Sequence, residues 1–164
     1  PRVARIAEDD LGVLLRTLTR AERLAVTQAP NIAVPNLKSG RIWVGHRLRY
    51  VRDFVVDAAN PDGMAPVHDG LEVGFQAAVQ CTRAREGTIR VRLQVRDQEV
   101  QQPLHDVSIA LPGSTRQVSV QVPHGTHAAS DHALELASAE TMLVATPRSD
   151  ASWLLTVLTV TAFP

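Results

Sequence analysis

The stretch that decides the fold is GLEVGFQAAVQCTRAREGTIRVRLQVRDQEV, residues 70–100. Its second half carries the cleanest pattern in the chain, with Ile89, Val91, Leu93 and Val95 alternating with Arg90, Arg92, Gln94 and Arg96. A period of two sends successive side chains to opposite faces of a strand, so one face is dry and the other wet and cationic. In the first half Leu71, Val73, Phe75, Ala77 and Val79 share one face, and Glu72, Gln76 and Gln80 the other. Gly87 turns the chain between the halves, so the spacing predicts a long antiparallel hairpin.

Downstream, a second hairpin is expected. Val107, Ile109 and Leu111 precede a Pro112-Gly113 turn, Val118, Val120 and Val122 follow it, and Pro123 and Gly125 close the return strand. Residues 128–140 are rich in Ala and Ser, and Ala133, Leu134, Leu136 and Ala137 suit a short helix as well as a strand; strand is the reading adopted. Residues 142–145 and 153–160 are apolar on both faces, as central strands are.

Upstream, Asn60, Pro61, Asp62, Gly63 and Pro66 mark a loop. Ile42 and Val44 alternate with Arg41 and Trp43, Gly45 interrupts, and residues 50–56 form another β-type run. Before them Leu24 and Val26 alternate with polar neighbours, Pro30 and Pro35 limit strand pairing, and residues 36–40 read as a turn. The beginning of the chain is helical in pattern: Leu11, Leu14, Leu15 and Leu18 recur at i, i+3, i+4 and i+7, with Asp9 or Asp10 available as a cap. The expected architecture is one domain over residues 1–164, α+β or mainly β, with a short N-terminal helix packed on about eight or nine mostly antiparallel strands.

Composition narrows the function classes. The chain has 164 residues, 45% hydrophobic and 21% charged, enough apolar material for a core without metal or disulfide staples. Cys81 is alone, which excludes an internal disulfide. No apolar run approaches the ~20 residues of a spanning helix, and the chain reads as a mature form or a piece of something longer. Seventeen basic and seventeen acidic side chains cancel, so no global field recruits nucleic acid or an anionic membrane. Residues 1–52 carry a surplus of six positive charges and the remainder a deficit of six. Opposite charge at opposite ends suits head-to-tail self-association, although scatter over one small surface accounts for it equally well.

Sites for chemistry are scarce. Among six histidines the densest group is His124, His127, Asp131 and His132. Neighbouring strand positions point to opposite faces, so these residues read as surface histidines rather than as converging zinc ligands. Ser130, Asp131 and His132 are consecutive, which makes a triad among them awkward, and no glycine-flanked nucleophile elbow exists. Cys81 lies in a strand pattern, as buried structural cysteines do. No glycine-rich phosphate loop appears, and the arginine face of residues 90–96 has no interleaved aromatic to stack bases. No enzyme activity, cofactor, metal or nucleic-acid partner is therefore expected.

The order of segments is more informative than any site. LGVLLRTLTRAERLAVTQAPNIAVPNLKSGRIWVGHRLRYVRDF, residues 11–54, resembles the opening of the C-terminal ring-forming domain of the bacterial secretins. There a leucine-rich helix leads to a strand ending in a small residue and proline, a second strand (here residues 32–34), an Asn-containing turn, and an apolar strand ending in Val-Gly. Residues 70–100 are similar to that family's glycine-opened hairpin, and SIALPGSTRQVSVQVPHGTHAAS, residues 108–130, to a strand pair ending in a glycine-threonine turn. Residues 154–160 or 142–147 would supply the closing strand.

The resemblance implies a non-enzymatic subunit that assembles with copies of itself into a ring or pore in the bacterial cell envelope, at the outer membrane or in the periplasm, with other envelope or secretion components as further partners. In such a ring Arg90, Arg92 and Arg96, or Glu72, Gln76 and Gln80, would line the lumen or the subunit seam. The family's glycine-rich, membrane-inserting region has only residues 128–139 in its place here, which leaves membrane contact open. A structural tube or shell protein that kept the fold without transport is the alternative, followed by a monomeric ligand-binding β domain using the histidine-rich turn.

Overall fold

A computed structural model of the protein describes residues 2–21, 30–57, 60–84, 87–110 and 117–162, with backbone alone at 56–57 and 60–62. The elements in chain order are β1 (Arg2–Arg5), α1 (Glu8–Arg20), β2 (Ser39–Asp57), β3 (Asn60–Arg83), β4 (Thr88–Val100), β5 (His105–Ala110), β6 (Gln117–Val122), β7 (Gly125–Ala137), β8 (Thr141–Pro147) and β9 (Trp153–Thr159). Strand accounts for about two-thirds of the described residues, which makes them mainly β with one short helix and antiparallel sheets. The sheet orders are β2-β3-β4-β7, β1-β8-β9 and β5-β6.

The chain divides into two compact units: Pro1–Trp43 with Gln76–Arg96 and Ala128–Pro164, and Val44–Phe75 with Asp97–His127. In the first unit the dry faces meet as the alternation requires. Ile89, Val91, Leu93 and Val95 of β4 are buried, as are Ala77 and Val79 of β3, Ala128, Leu134 and Leu136 of β7, and Met142 and Val144 of β8. A Ser130 to Thr146 hydroxyl hydrogen bond of 2.8 Å joins β7 to β8, and Thr146 is fully buried there. At the other end of β8, Arg5 pairs with Glu140 at 2.9 Å, whose carboxylate also accepts the Ala137 N–H.

Several expectations are corrected within this unit. Residues 2–5 form a strand that no sequence pattern announced; four exposed residues acquire strand geometry by pairing with β8, Arg2 opposite Ala145 and Arg5 opposite Met142. The helix begins two or three residues earlier than an Asp9 or Asp10 cap predicts, with Ala7 as N-cap and Glu8, Asp9 and Asp10 in the first turn, where carboxylates oppose the positive helix end. None of its residues is buried; the leucine stripe is half covered, so α1 is not a core element. Residues 32–34 are not a strand: Pro30 and Pro35 bracket them, and Ile32 and Val34 instead pack over Gly40. The turn at 36–37 holds, fastened by Asn36 Oδ1 accepting the Arg83 N–H at 2.9 Å and by the Leu37 N–H donating to Cys81. Residues 153–159 form an edge strand rather than a central one, with Trp153 50% exposed. The expected strand at 24–30 lies largely outside the described residues.

In the second unit, Gly45 does not interrupt its strand. β2 runs through it because Gly45 and Gly74 let two backbones approach more closely than any side chain permits: a Cβ at Gly45 would strike the Val73 carbonyl, and Gly74 has φ +118°. The loop expected at 60–66 is likewise strand, the beginning of β3. The expected β5-β6 hairpin forms, with Val107 opposite Val120 and Ile109 opposite Val118, while its Pro112-Gly113 turn lies outside the described residues. Val51 N–H donates to Gln121 Oε1 at 3.0 Å, tying β2 to β6. Among the described residues the buried side chains of this unit are Val73, Val120 and Asp97.

Candidate assembly surface

Strand alternation places Arg90, Arg92, Gln94 and Arg96 on the exposed face of β4, opposite the buried valines and Leu93. On neighbouring β7 the outward positions include Asp131 and Glu135. Arg90 Nε meets Glu135 at 2.6 Å, and Arg92 holds Asp131 with two nitrogens, at 3.1 and 2.7 Å. Gln94 adds a third donor to Asp131 at 2.9 Å. The Arg92 hydrogen bonds, then that of Gln94, lower the Asp131 carboxyl to about 2, so it stays charged at any ordinary pH. The cationic face expected from β4 alone is thus largely neutralised within the chain.

Gln76, half-buried, and Gln80, exposed, lie on the matching face of β3, so the first unit brings five of the six anticipated residues, Gln76, Gln80, Arg90, Arg92 and Arg96, onto one polar three-strand surface. Arg96 continues the row and has no ion-pair partner among the described residues; Glu72 stands on the same face of β3 but within the second unit, and it and Gln76 are engaged in contacts of their own. Sequence reasoning missed Asp131 and Glu135. Their spacing of four on an alternating strand was visible, but their partners lie about forty positions away and only the β4-β7 register identifies them.

The second unit carries its own acid cluster. Asp69 accepts from the Gly70 N–H at 2.7 Å, the main cause of its lowered carboxyl pKa, and from Arg52 at 3.3 Å. In the same unit β5 and β6 bring His105 and His124 together, ring centroids 5.8 Å apart and planes at 67°. They border an open depression of 380 Å³ with Gln101, Pro103, Leu104 and Asp106.

The histidine-rich group does not assemble. Asp131 and His132 point to opposite faces of β7, and among the described residues no three metal-ligating side chains converge. His132 Nε2 is buried without a hydrogen-bond partner among those residues, and Ser130 bonds Thr146 instead of joining a relay. Burial pushes the Cys81 thiol pKa up, which disfavours the thiolate.

One sheet border is bare among the described residues. β9 has one strand neighbour and no charged residue or proline, the devices that usually blunt an edge, and it exposes Trp153 and Val157. The Arg2 guanidinium lies 5.9 Å above the Trp153 ring. At the border of the four-stranded sheet, β2 has one strand neighbour and exposes Trp43 and Val55. No helix among the described residues is long and apolar enough to cross a membrane, which leaves crossing by strands untouched.

No family model, curated protein or solved structure matches this chain.

Proposed function

We propose that this protein is a subunit of a homomultimeric, secretin-like ring or pore in the bacterial cell envelope, acting as a transport conduit or its scaffold and not as an enzyme. The observation that carries the proposal is the poverty of the second unit's core. Its long ribbons bury Val73 and Val120 as their apolar residues, together with the carboxylate Asp97, among the described residues. That is a small fully buried apolar set for some sixty residues, whose other apolar side chains, Leu48, Tyr50, Phe75 and Val107 among them, are only half covered. Copies of the same chain are the natural source of the missing contacts.

The bare edge of β9 provides a strand border at which a heterologous contact can repeat until a ring closes. The basic first third and acidic remainder of the chain favour a head-to-tail register. In this assembly the polar face with Arg90, Arg92 and Arg96, and the face with Glu72, Gln76 and Gln80, line the lumen or the seam.

Negative-stain imaging of the purified native assembly tests the proposal. Closed rings of uniform diameter are expected; open lattices or filaments would select a shell protein, and dispersed monomers would refute self-assembly altogether.

A further inference from the structure

We propose that His105 and His124 together form a two-ligand site for a divalent transition-metal ion of the zinc class. The two imidazoles are exposed, and their ring centroids stand 5.8 Å apart with planes inclined at 67°. Two imidazoles bound to one tetrahedral ion, with Zn–N distances of about 2.1 Å, place their centroids about 5–6 Å apart. The rings meet edge to face at a centroid spacing that suits a shared ion, and among the described residues neither is hydrogen-bonded into another role.

Backbone pairing holds both ligands in place. His105 opens β5 opposite Val122, and the His124 carbonyl accepts the Gln101 N–H at 2.8 Å. The segments carrying the rings cannot separate without breaking these bonds, so little ordering remains to be done when an ion arrives. The 380 Å³ depression beside them leaves room for the ion's remaining ligands, and Asp106 on its rim adds negative charge. Imidazole selects zinc, copper and nickel over magnesium and calcium. No third metal-ligating side chain converges among the described residues, so the other coordination positions are filled by water or by a donor from another molecule. This assignment stands independently of the ring reading.

The test is calorimetric titration of the full chain with Zn²⁺ in a non-coordinating buffer. One ion per chain is expected. His105→Gln and His124→Gln should each weaken binding by about tenfold or more, and the double variant should abolish it. His127→Gln, which changes a neighbouring histidine outside the pair, should bind as the parent does. All three positions are exposed, so circular dichroism should show the variants folded. No measurable binding at millimolar zinc, or undiminished binding in the folded double variant, would overturn the assignment.

Discussion

Replacing Leu93 with alanine probes the center of the first unit's core. Leu93 is 1% exposed on β4, which is held between β3 and β7, with Val91 and Val95 equally buried on the same face. The substitution deletes three carbons; at about 0.8 kcal/mol per buried methylene the transfer loss is about 2.4 kcal/mol. Strands paired on both sides have little freedom to collapse into the space. If a cavity of roughly 40–80 Å³ persists, about 24 cal/mol per Å³ adds about 1–2 kcal/mol, for a total near 3.5–4.5 kcal/mol. For a chain of this length that lowers Tm by roughly 7–18 °C. The assay is urea unfolding followed by circular dichroism at fixed protein concentration, since self-association raises apparent stability by mass action. Val157→Ala on the edge strand β9, 39% exposed, serves as the comparison and should cost less than about 1 kcal/mol. A Leu93→Ala loss below about 1 kcal/mol, or one equal to that of Val157→Ala, would refute the assignment of this face to the core.

Three further outcomes are expected. A carboxyl whose pKa is depressed in the fold stabilises above its unfolded value and loses that contribution as pH falls through the folded one; Asp131, at about 2, should therefore contribute fully above about pH 4 and lose its contribution between about pH 4 and 2. Carboxyl NMR titration should find its midpoint near 2 in the parent and clearly higher in Arg92→Gln, whereas a parent midpoint near 4 would contradict the pairing. Arg92→Glu sets like charges against each other across β4 and β7 and should reduce ring assembly or alter conductance, and the exchange Arg92→Asp with Asp131→Arg should restore the fold; unchanged assembly and ion passage in Arg92→Glu would remove this face from the lumen and seam. Gly12→Ala, whose Cβ would make only an ordinary 3.7 Å contact with the flexible Arg16 guanidinium on α1, should stabilise by about 0.5–1 kcal/mol in thermal unfolding, whereas Gly45→Ala should destabilise because its methyl meets the Val73 carbonyl. Equal effects at the two glycines would show that the close approach of β2 and β3 is not rigid.

What the sequence revealed, it revealed where one physical constraint acts locally. Alternation in β4 is enforced by water on one side and core on the other, so Val91, Leu93 and Val95 were legible from their neighbours alone. The pairing of β5 with β6 was legible for the same reason, though not its register. Residues 60–66 were misread because Asn, Pro, Asp and Gly together resemble a turn, whereas here they open the long strand β3. β1 was invisible because Arg2 to Arg5 have no pattern of their own and become a strand only beside β8. The candidate surface divided similarly. Strand alternation predicted which residues face outward, but the partners Asp131 and Glu135, and the meeting of His105 with His124, depend on strand register over nineteen to about forty positions.

Hydrogen exchange resolved along the chain, compared between dilute monomer and assembled protein, tests the central claim most directly. The account predicts that residues 44–75 and 97–127 exchange rapidly in the monomer and gain strong protection on assembly, while the β4 and β7 core of the first unit is protected in both. Full protection of the second unit in a species that sediments as a single chain would contradict it.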